Sequence, residues 1–316
     1  MALRLFRFLS GLALCLLALP AIAQMPEIQV GIVRSQTSAP YILATQALVN
    51  GLTRQGVPLD AVDVWSPDEL ALLPLARVSG VKVWVALGTE AATGLARSRV
   101  KAPVLNALLP RSSFERVLRA SGRKASAHFN VLELDQPLQR QLALVRLVLP
   151  KSRRLAVLWG PDSLPKAPAL RSLASSQGLT LQEDVVDQGT SLFAALRSVL
   201  EGSDVLWAFA DPLVFNSNNI QNILMTTIRV QVPVLAFSPA YVRAGALMAV
   251  YSTPLQVGDQ AAQWVLDVLA NRALSALALE PLDFEISVNE QVARALGLSI
   301  EVKALTFALK RQEQQP

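Results

Sequence analysis

Val81-Lys-Val-Trp-Val-Ala-Leu-Gly-Thr89 and Asp204-Val-Leu-Trp-Ala-Phe-Ala-Asp-Pro212 are two apolar runs, rich in Val, Leu and Trp, that each stop at small polar residues. A short apolar run without polar alternation reads as a strand buried on both faces. A helical stretch follows each run, Glu90 to Ser98 in one case and about Asn219 to Arg229 in the other. Both helices lead to the same kind of segment, Lys101-Ala-Pro-Val-Leu105 and Gln231-Val-Pro-Val-Leu235. The order strand, helix, Pro-Val-Leu strand therefore occurs twice. Aligning Ala86 with Ala208 sets Thr89 opposite Asp211.

The flanking segments extend both copies. Ile28 to Val33 reads as a strand ending in Arg34-Ser-Gln-Thr-Ser38, and a helix follows from about Ala39 to Gln55. Leu155 to Trp159 is the counterpart strand, ending in Gly160-Pro-Asp-Ser163, with a helix from about Ala167 to Gln177 and a short strand at Val185-Val186. Pro103 to Leu108 and Pro233 to Phe237 complete the strand set. Strands alternating with helices imply parallel sheets covered on both faces. The expected class is α/β, with two doubly wound, Rossmann-like lobes. Beyond them, Pro254 to Ala270 reads as a long helix with Ala261, Ala262, Val265, Leu266 and Leu269 on one face. Phe284 to Val288 alternates like a strand, and Asn289 starts a helix closed at Gly297. This tail is too short for a third lobe, so it adds to both, and the chain crosses between lobes three times. The expected division is 24–130 with 252–282, and 131–251 with 283–316.

The first residues have a different character. Arg4 and Arg7 precede an apolar run from Phe8 to Leu19, then Pro20 and the small-x-small pattern Ala21-Ile-Ala23. That is the layout of a secretory signal peptide, residues 1–23, cleaved after Ala23. The run of about 12 apolar residues falls short of the roughly 20 needed to cross a bilayer. Cys15 follows Leu14 rather than a small residue and reads as part of that signal, not as a lipidation site. Removing 23 of 316 residues, two arginines and no acid among them, leaves 293 with a net charge of +3. The cleaved chain has no cysteine, hence no disulfide and no thiolate metal ligand. Its basic residues are scattered among acids, which argues against a nucleic-acid partner.

Chemistry for catalysis is sparse. The one histidine is His128, the Gly88-Thr-Glu-Ala91 segment lacks a following Gly-Lys-Ser/Thr, and no Gly-x-Ser-x-Gly turn occurs. No catalytic residue, metal ligand or cofactor is assigned; an acid–base pair across a cleft could come only from Asp211 with Arg111. A binding site is better supported, because ligands of open α/β sheets sit beyond the carboxyl ends of the strands. Those ends carry Ser35, Gln36, Thr37, Ser38, Gly88, Thr89 and Arg111 in the first half. In the second half they carry Gly160, Asp162, Ser163, Asp211, Asn216, Ser238 and Tyr251. Several precede helices, whose free N–H groups suit a carboxylate or phosphate. Each has a second reading: Ser38 and Thr89 as helix caps, Asp211-Pro212 as a turn, Arg111 as a solvated surface arginine, and Tyr251 as packing between lobes.

In "ADPLVFNSNNI" (210–220), "VPVLAFSPAYVRAGALMAVYS" (232–252), "GDQAAQWVLDVLA" (258–270) and "FEISVNEQVARALGL" (284–298), the chain resembles the substrate-binding proteins of bacterial ABC importers, the tryptophan- and tyrosine-importer group. "ALGTEAA" (86–92) and the stretch 134–161 are similar as well. The resemblance implies a type I periplasmic-binding fold, and a monomer in the periplasm that closes on a small molecule and delivers it to an inner-membrane permease. A sensory or accessory module docking onto a signalling protein is the alternative. It also implies that Ser35–Ser38, Gly88–Ala91, Asp211–Pro212 and Phe237–Ser238 line the cleft. Many relatives have Asp-Pro where this chain has Leu109-Pro-Arg111, so their ligands do not transfer.

Overall fold

The computed structural model describes residues 28–275 and 278–313; the expected export signal lies outside them. The first lobe is built from β1 (Val30–Arg34), α1 (Ala39–Arg54), β2 (Val62–Trp65), α2 (Pro67–Leu72), α3 (Leu75–Gly80), β3 (Val83–Leu87), α4 (Thr89–Arg97), β4 (Val104–Leu109), α5 (Arg111–Ser121) and β5 (Phe129–Glu133). The second lobe takes α6 (Leu138–Val148), β6 (Arg154–Trp159), α7 (Ala167–Ser176), β7 (Thr180–Val185), α8 (Leu192–Leu200), β8 (Val205–Trp207), α9 (Ile220–Arg229), β9 (Val234–Ala236), α10 (Pro239–Ala244) and β10 (Met248–Tyr251). The chain then returns to the first lobe as α11 (Pro254–Leu269) and ends in the second as β11 (Glu285–Val288), α12 (Glu290–Ala295) and α13 (Val302–Glu313).

The two sheets repeat one topology. The first has the order β2-β1-β3-β4-β5, all parallel; the second runs β11-β10-β9-β8-β6-β7, parallel except for the β10–β11 pair. Strands β1, β3 and β4 thus correspond to β6, β8 and β9, as the Pro-Val-Leu repeat requires. Each sheet is apolar on both faces because helices cover both. Trp84, Trp159 and Trp207 are fully buried in β3, β6 and β8. Trp159 Nε1 donates to Glu183 Oε2 at 2.6 Å and Trp207 Nε1 to Gln141 Oε1 at 2.8 Å, which satisfies both indoles inside the core.

Helix α11 packs on α1 with almost no separation. Its buried face is Val257, Gly258, Ala261, Ala262, Trp264 and Val265, close to the expected stripe. A Cβ on Gly258 would stand 2.4 Å from the Ala44 carbonyl oxygen, and one on Gly51 would stand 2.7 Å from Ala262 Cβ. Two glycines therefore set the distance between the helices. Thr253 fixes the start of α11 with a capping box: its hydroxyl accepts from Gln256 N at 3.2 Å while Gln256 Oε1 accepts from Thr253 N at 2.8 Å.

Three segments cross between lobes: 134–137, 252–253 and 279–283. The third leaves the first lobe where Leu279 pairs with β5, through Leu279 N to Val131 O at 2.8 Å and Glu133 N to Leu279 O at 2.9 Å. The boundary expected at 130 falls inside β5, so the first sheet keeps the chain through Glu133. The strand expected at Val185-Val186 is also longer, starting at Thr180. Its Gln, Glu and Asp hide it from a search for apolar runs, and its place at the sheet edge makes those residues acceptable.

Candidate ligand-binding cleft

The carboxyl ends of both parallel sheets meet around a cavity of about 570 Å³. Arg111 after β4, Glu133 and Asp135 at the end of β5, Asp162 and Lys166 after β6, and Phe209 after β8 all face it. A second cavity of about 250 Å³ adjoins it, sharing Asp135, Gln136, Gln141 and Phe209. Its wall is mainly apolar, with Pro110, Leu134, Ala208, Phe237 and Val250, plus Ser238. Both lobes and a crossing segment thus contribute walls to these two adjoining cavities.

Charged side chains organise the larger cavity. Arg111 reaches Glu133 Oε1 at 3.1 Å and Glu115 Oε1 at 3.1 Å, while its backbone N–H donates to Asp135 Oδ2 at 2.8 Å. Lys166 of the second lobe pairs with Asp135 of the crossing segment, and Arg116 of α5 pairs with Asp162 across the cleft. Glu133 is 8% exposed. Burial pushes its carboxyl up to about 7; Arg111 opposes the shift and Asp135 adds to it.

The loops around the cavity are held by two matched devices, one in each lobe. In the first lobe, Ser35 N donates to Leu87 O at 3.0 Å and the Ser35 hydroxyl accepts from Ala91 N at 2.9 Å, capping α4 from another strand. Gly88 starts that helix with φ +93°, and a Cβ there would stand 2.6 Å from the Tyr41 ring and 2.7 Å from Ser35 Oγ. In the second lobe, Asp211 is 2% exposed. Its Oδ2 accepts from Asp162 N and Ser163 N at 2.9 Å each and from Ser163 Oγ at 3.0 Å, and its Oδ1 accepts from Leu213 N at 2.9 Å. A Cβ on Gly160 would lie 2.2 Å from Asp211 Oδ1. Only glycine lets the carboxylate slide under the loop after β6.

The sequence-derived candidates divide accordingly. Arg111 lines the larger cavity; Phe237 and Ser238 line the smaller. Gln36, Ser38 and Thr89 are exposed at the carboxyl ends of β1 and β3, outside both cavities. Ser38 occupies the position before α1 but does not cap it, since its hydroxyl faces Gln36 Oε1 at 3.4 Å. Thr89 is already inside α4, with Gly88 as the residue before it. Ser35, Gly88 and Asp211 are spent on holding loops. Asp211 acts here as a brace between loops, and it forms no ion pair with Arg111 among the described residues. Tyr251 donates to Glu285 Oε2 at 3.2 Å; burial, then the Glu285 charge, raises its phenol pKa. Sequence reasoning missed Glu133, Asp135, Gln136, Lys166 and Phe209. The signal for the first three was present in Phe129-Asn-Val-Leu-Glu133, an apolar run ending in Leu-Asp-Gln-Pro.

Two doubly wound lobes, three crossings and a cavity at the facing strand ends define the type I periplasmic-binding class. The match to the model of the ABC transporter substrate binding protein family covers residues 73–311, and the chain belongs to that family. It is 23% identical over 185 residues to the tyrosine-binding protein of Clostridioides difficile strain R20291, a match covering 57% of this chain and 52% of the relative. The chain thus spans about half the length of that curated relative. Among solved structures, the ligand-free, open form of a substrate binding protein with adhesive properties from Clostridium difficile aligns with TM-score 0.67 at 17% identity, over 86% of this chain and 96% of the other. A Streptococcus pneumoniae ABC domain in complex with L-Trp aligns with TM-score 0.59 at 17% identity, over 88% and 97%. No helix among the described residues is long and apolar enough to cross a membrane.

Proposed function

We propose that the chain is the solute-binding protein of an ABC importer, exported to the periplasm after cleavage at Ala23, and that it captures a small polar or amino-acid-like molecule between its lobes for an inner-membrane permease. The observation that carries this reading is the pair of adjoining cavities walled by the strand ends of both sheets and by the crossing segment. A ligand seated there touches both lobes, so its binding energy favours the closed arrangement, and closure is a state a permease can recognise. The relatives that bind tyrosine and L-Trp support an amino-acid-like ligand. The protein acts as a monomer, and the reading assigns it no chemical step.

Thermal denaturation with a library of amino acids, small peptides, nucleosides and organic acids tests the proposal. A ligand at 100 times its Kd stabilises by about 2.7 kcal/mol. Small-angle scattering on the same sample should show compaction. A folded protein whose melting point is moved by no member of the library would remove the receptor reading.

A further inference from the structure

Charge in the cavity is unbalanced. Five carboxylates line it, on Glu115, Glu133, Asp135, Asp162 and Glu280. Arg111, Lys166 and Arg116 are the cations paired with them, and Arg111 is shared between Glu115 and Glu133. Glu280, exposed at the rim, has no cation within ion-pair distance among the described residues. Glu133 is the deepest of the acids, with its side chain 10% exposed. Its Oε1 meets Arg111, while its Oε2 has no hydrogen-bond donor among the described residues. The Glu133 side chain is thus nine-tenths buried, with one carboxylate oxygen that no protein donor reaches among the described residues, beside an apolar chamber walled by Phe209, Phe237 and Val250.

On the reading of this cavity as the ligand site, we infer that the ligand is an organic amine of net positive charge with an apolar or aromatic body, its ammonium donating to Glu133 Oε2 and its body filling the apolar chamber. An ammonium brings three donors and one positive charge to an oxygen that no protein donor reaches, in a cavity with more carboxylates than cations. A free carboxylate on the ligand is disfavoured here, because Arg111 and Lys166 are already engaged by protein acids and the five lining carboxylates repel another negative charge. The raised pKa of Glu133 agrees: burial without enough positive charge holds the proton on. An amine displaces that proton, so affinity rises with pH between about 6 and 8. The other charged groups facing Glu133 are Arg111, Asp135, Lys166 and Glu280, with Glu115 on the far side of Arg111.

Three probes share one ring and one two-carbon spacer: tyramine, L-tyrosine and 3-(4-hydroxyphenyl)propionate. Calorimetric titration should rank tyramine tightest, about ten-fold or more above tyrosine, with the acid weakest. In Glu133→Gln, tyramine should lose about ten-fold or more, the pH dependence should flatten, and the acid should gain as Arg111 is freed. Glu280→Gln, at an exposed rim position with no risk to folding, should cost tyramine about two-fold, as expected for a screened charge. The inference is overturned if the acid or tyrosine binds as tightly as tyramine, or if Glu133→Gln leaves the ranking intact. If the wider library yields a ligand while all three probes fail, the amine inference falls and the receptor reading stands. Silence from both sets removes both.

Discussion

Replacing Asp211 with Asn separates a brace from a ligand contact. The amide keeps the volume of the carboxylate, removes its charge and turns one acceptor into a donor. With nitrogen at the Oδ2 position it would lose three bonds, so the side chain settles with nitrogen at Oδ1, facing the Leu213 N–H. The three bonds from Asp162 and Ser163 survive but become neutral. Hydrogen bonds to a charged group contribute ~1.5–3 kcal/mol and neutral ones ~0.5–1.5, so this weakening costs about 3 kcal/mol. The lost bond and the two facing donors add ~1–3 kcal/mol. At ~2–4 °C per kcal/mol for a unit of this size, the melting midpoint should drop by about 10–20 °C. Calorimetry measures the drop, and titration with a ligand from the library reports whether the residual affinity follows the loop or the charge. An unchanged midpoint together with lost ligand binding would refute the brace and return Asp211 to the cleft.

Gly258→Ala should destabilise by about 2–3 kcal/mol in chemical denaturation despite the better helix propensity of alanine, because the new methyl meets a carbonyl oxygen that belongs to the α1 backbone. Folded Glu133, with its pKa near 7, holds a proton that the unfolded chain gives up near 4.5. Wild-type stability should therefore fall as pH rises through that window, by at most roughly 3 kcal/mol, and Glu133→Gln should abolish the fall; unfolding curves at pH 5 and pH 8 for both proteins measure it. Arg116→Ala should loosen the contact with Asp162 across the cleft by under ~1 kcal/mol, as befits a half-exposed pair. Its readout is a larger radius of gyration without ligand and an unchanged melting point.

The central strands of each lobe were legible because they are buried on both faces. Val83–Leu87 and Val205–Trp207 carry apolar runs that little else produces. Of the edge strands, Glu285–Val288 was legible by its alternation, whereas β2 and β5 were not, and Thr180–Val185 was read only at its end because it mixes Gln, Glu and Asp with its apolar residues and its pairing with β6 depends on a partner distant in sequence. The site was legible to the level of the loop. The chain positions after β1, β3, β4, β8 and β9 follow from strand order. Whether a side chain there meets ligand or scaffold depends on a neighbour that sequence does not supply. Asp211 is taken by the missing Cβ of Gly160, and Ser35 by the N–H of Ala91. Glu133 escaped because its strand was not recognised, so its carboxylate had no address.

The crossing segments are lashed to one another. Gln136 Nε2 donates to Ser252 Oγ at 2.9 Å, Ser252 Oγ donates to Asp283 O at 2.6 Å, and Arg140 bonds Gln136, the Pro281 carbonyl and Glu313 of the terminal helix while lying over the Phe284 ring. Whatever is fastened beyond Glu313 pulls on this knot. A fusion or surface anchor attached there shares its load with the pivot, whereas attachment through α5 of the first lobe leaves the pivot free, so the point of immobilisation selects which opening angle an instrument will see.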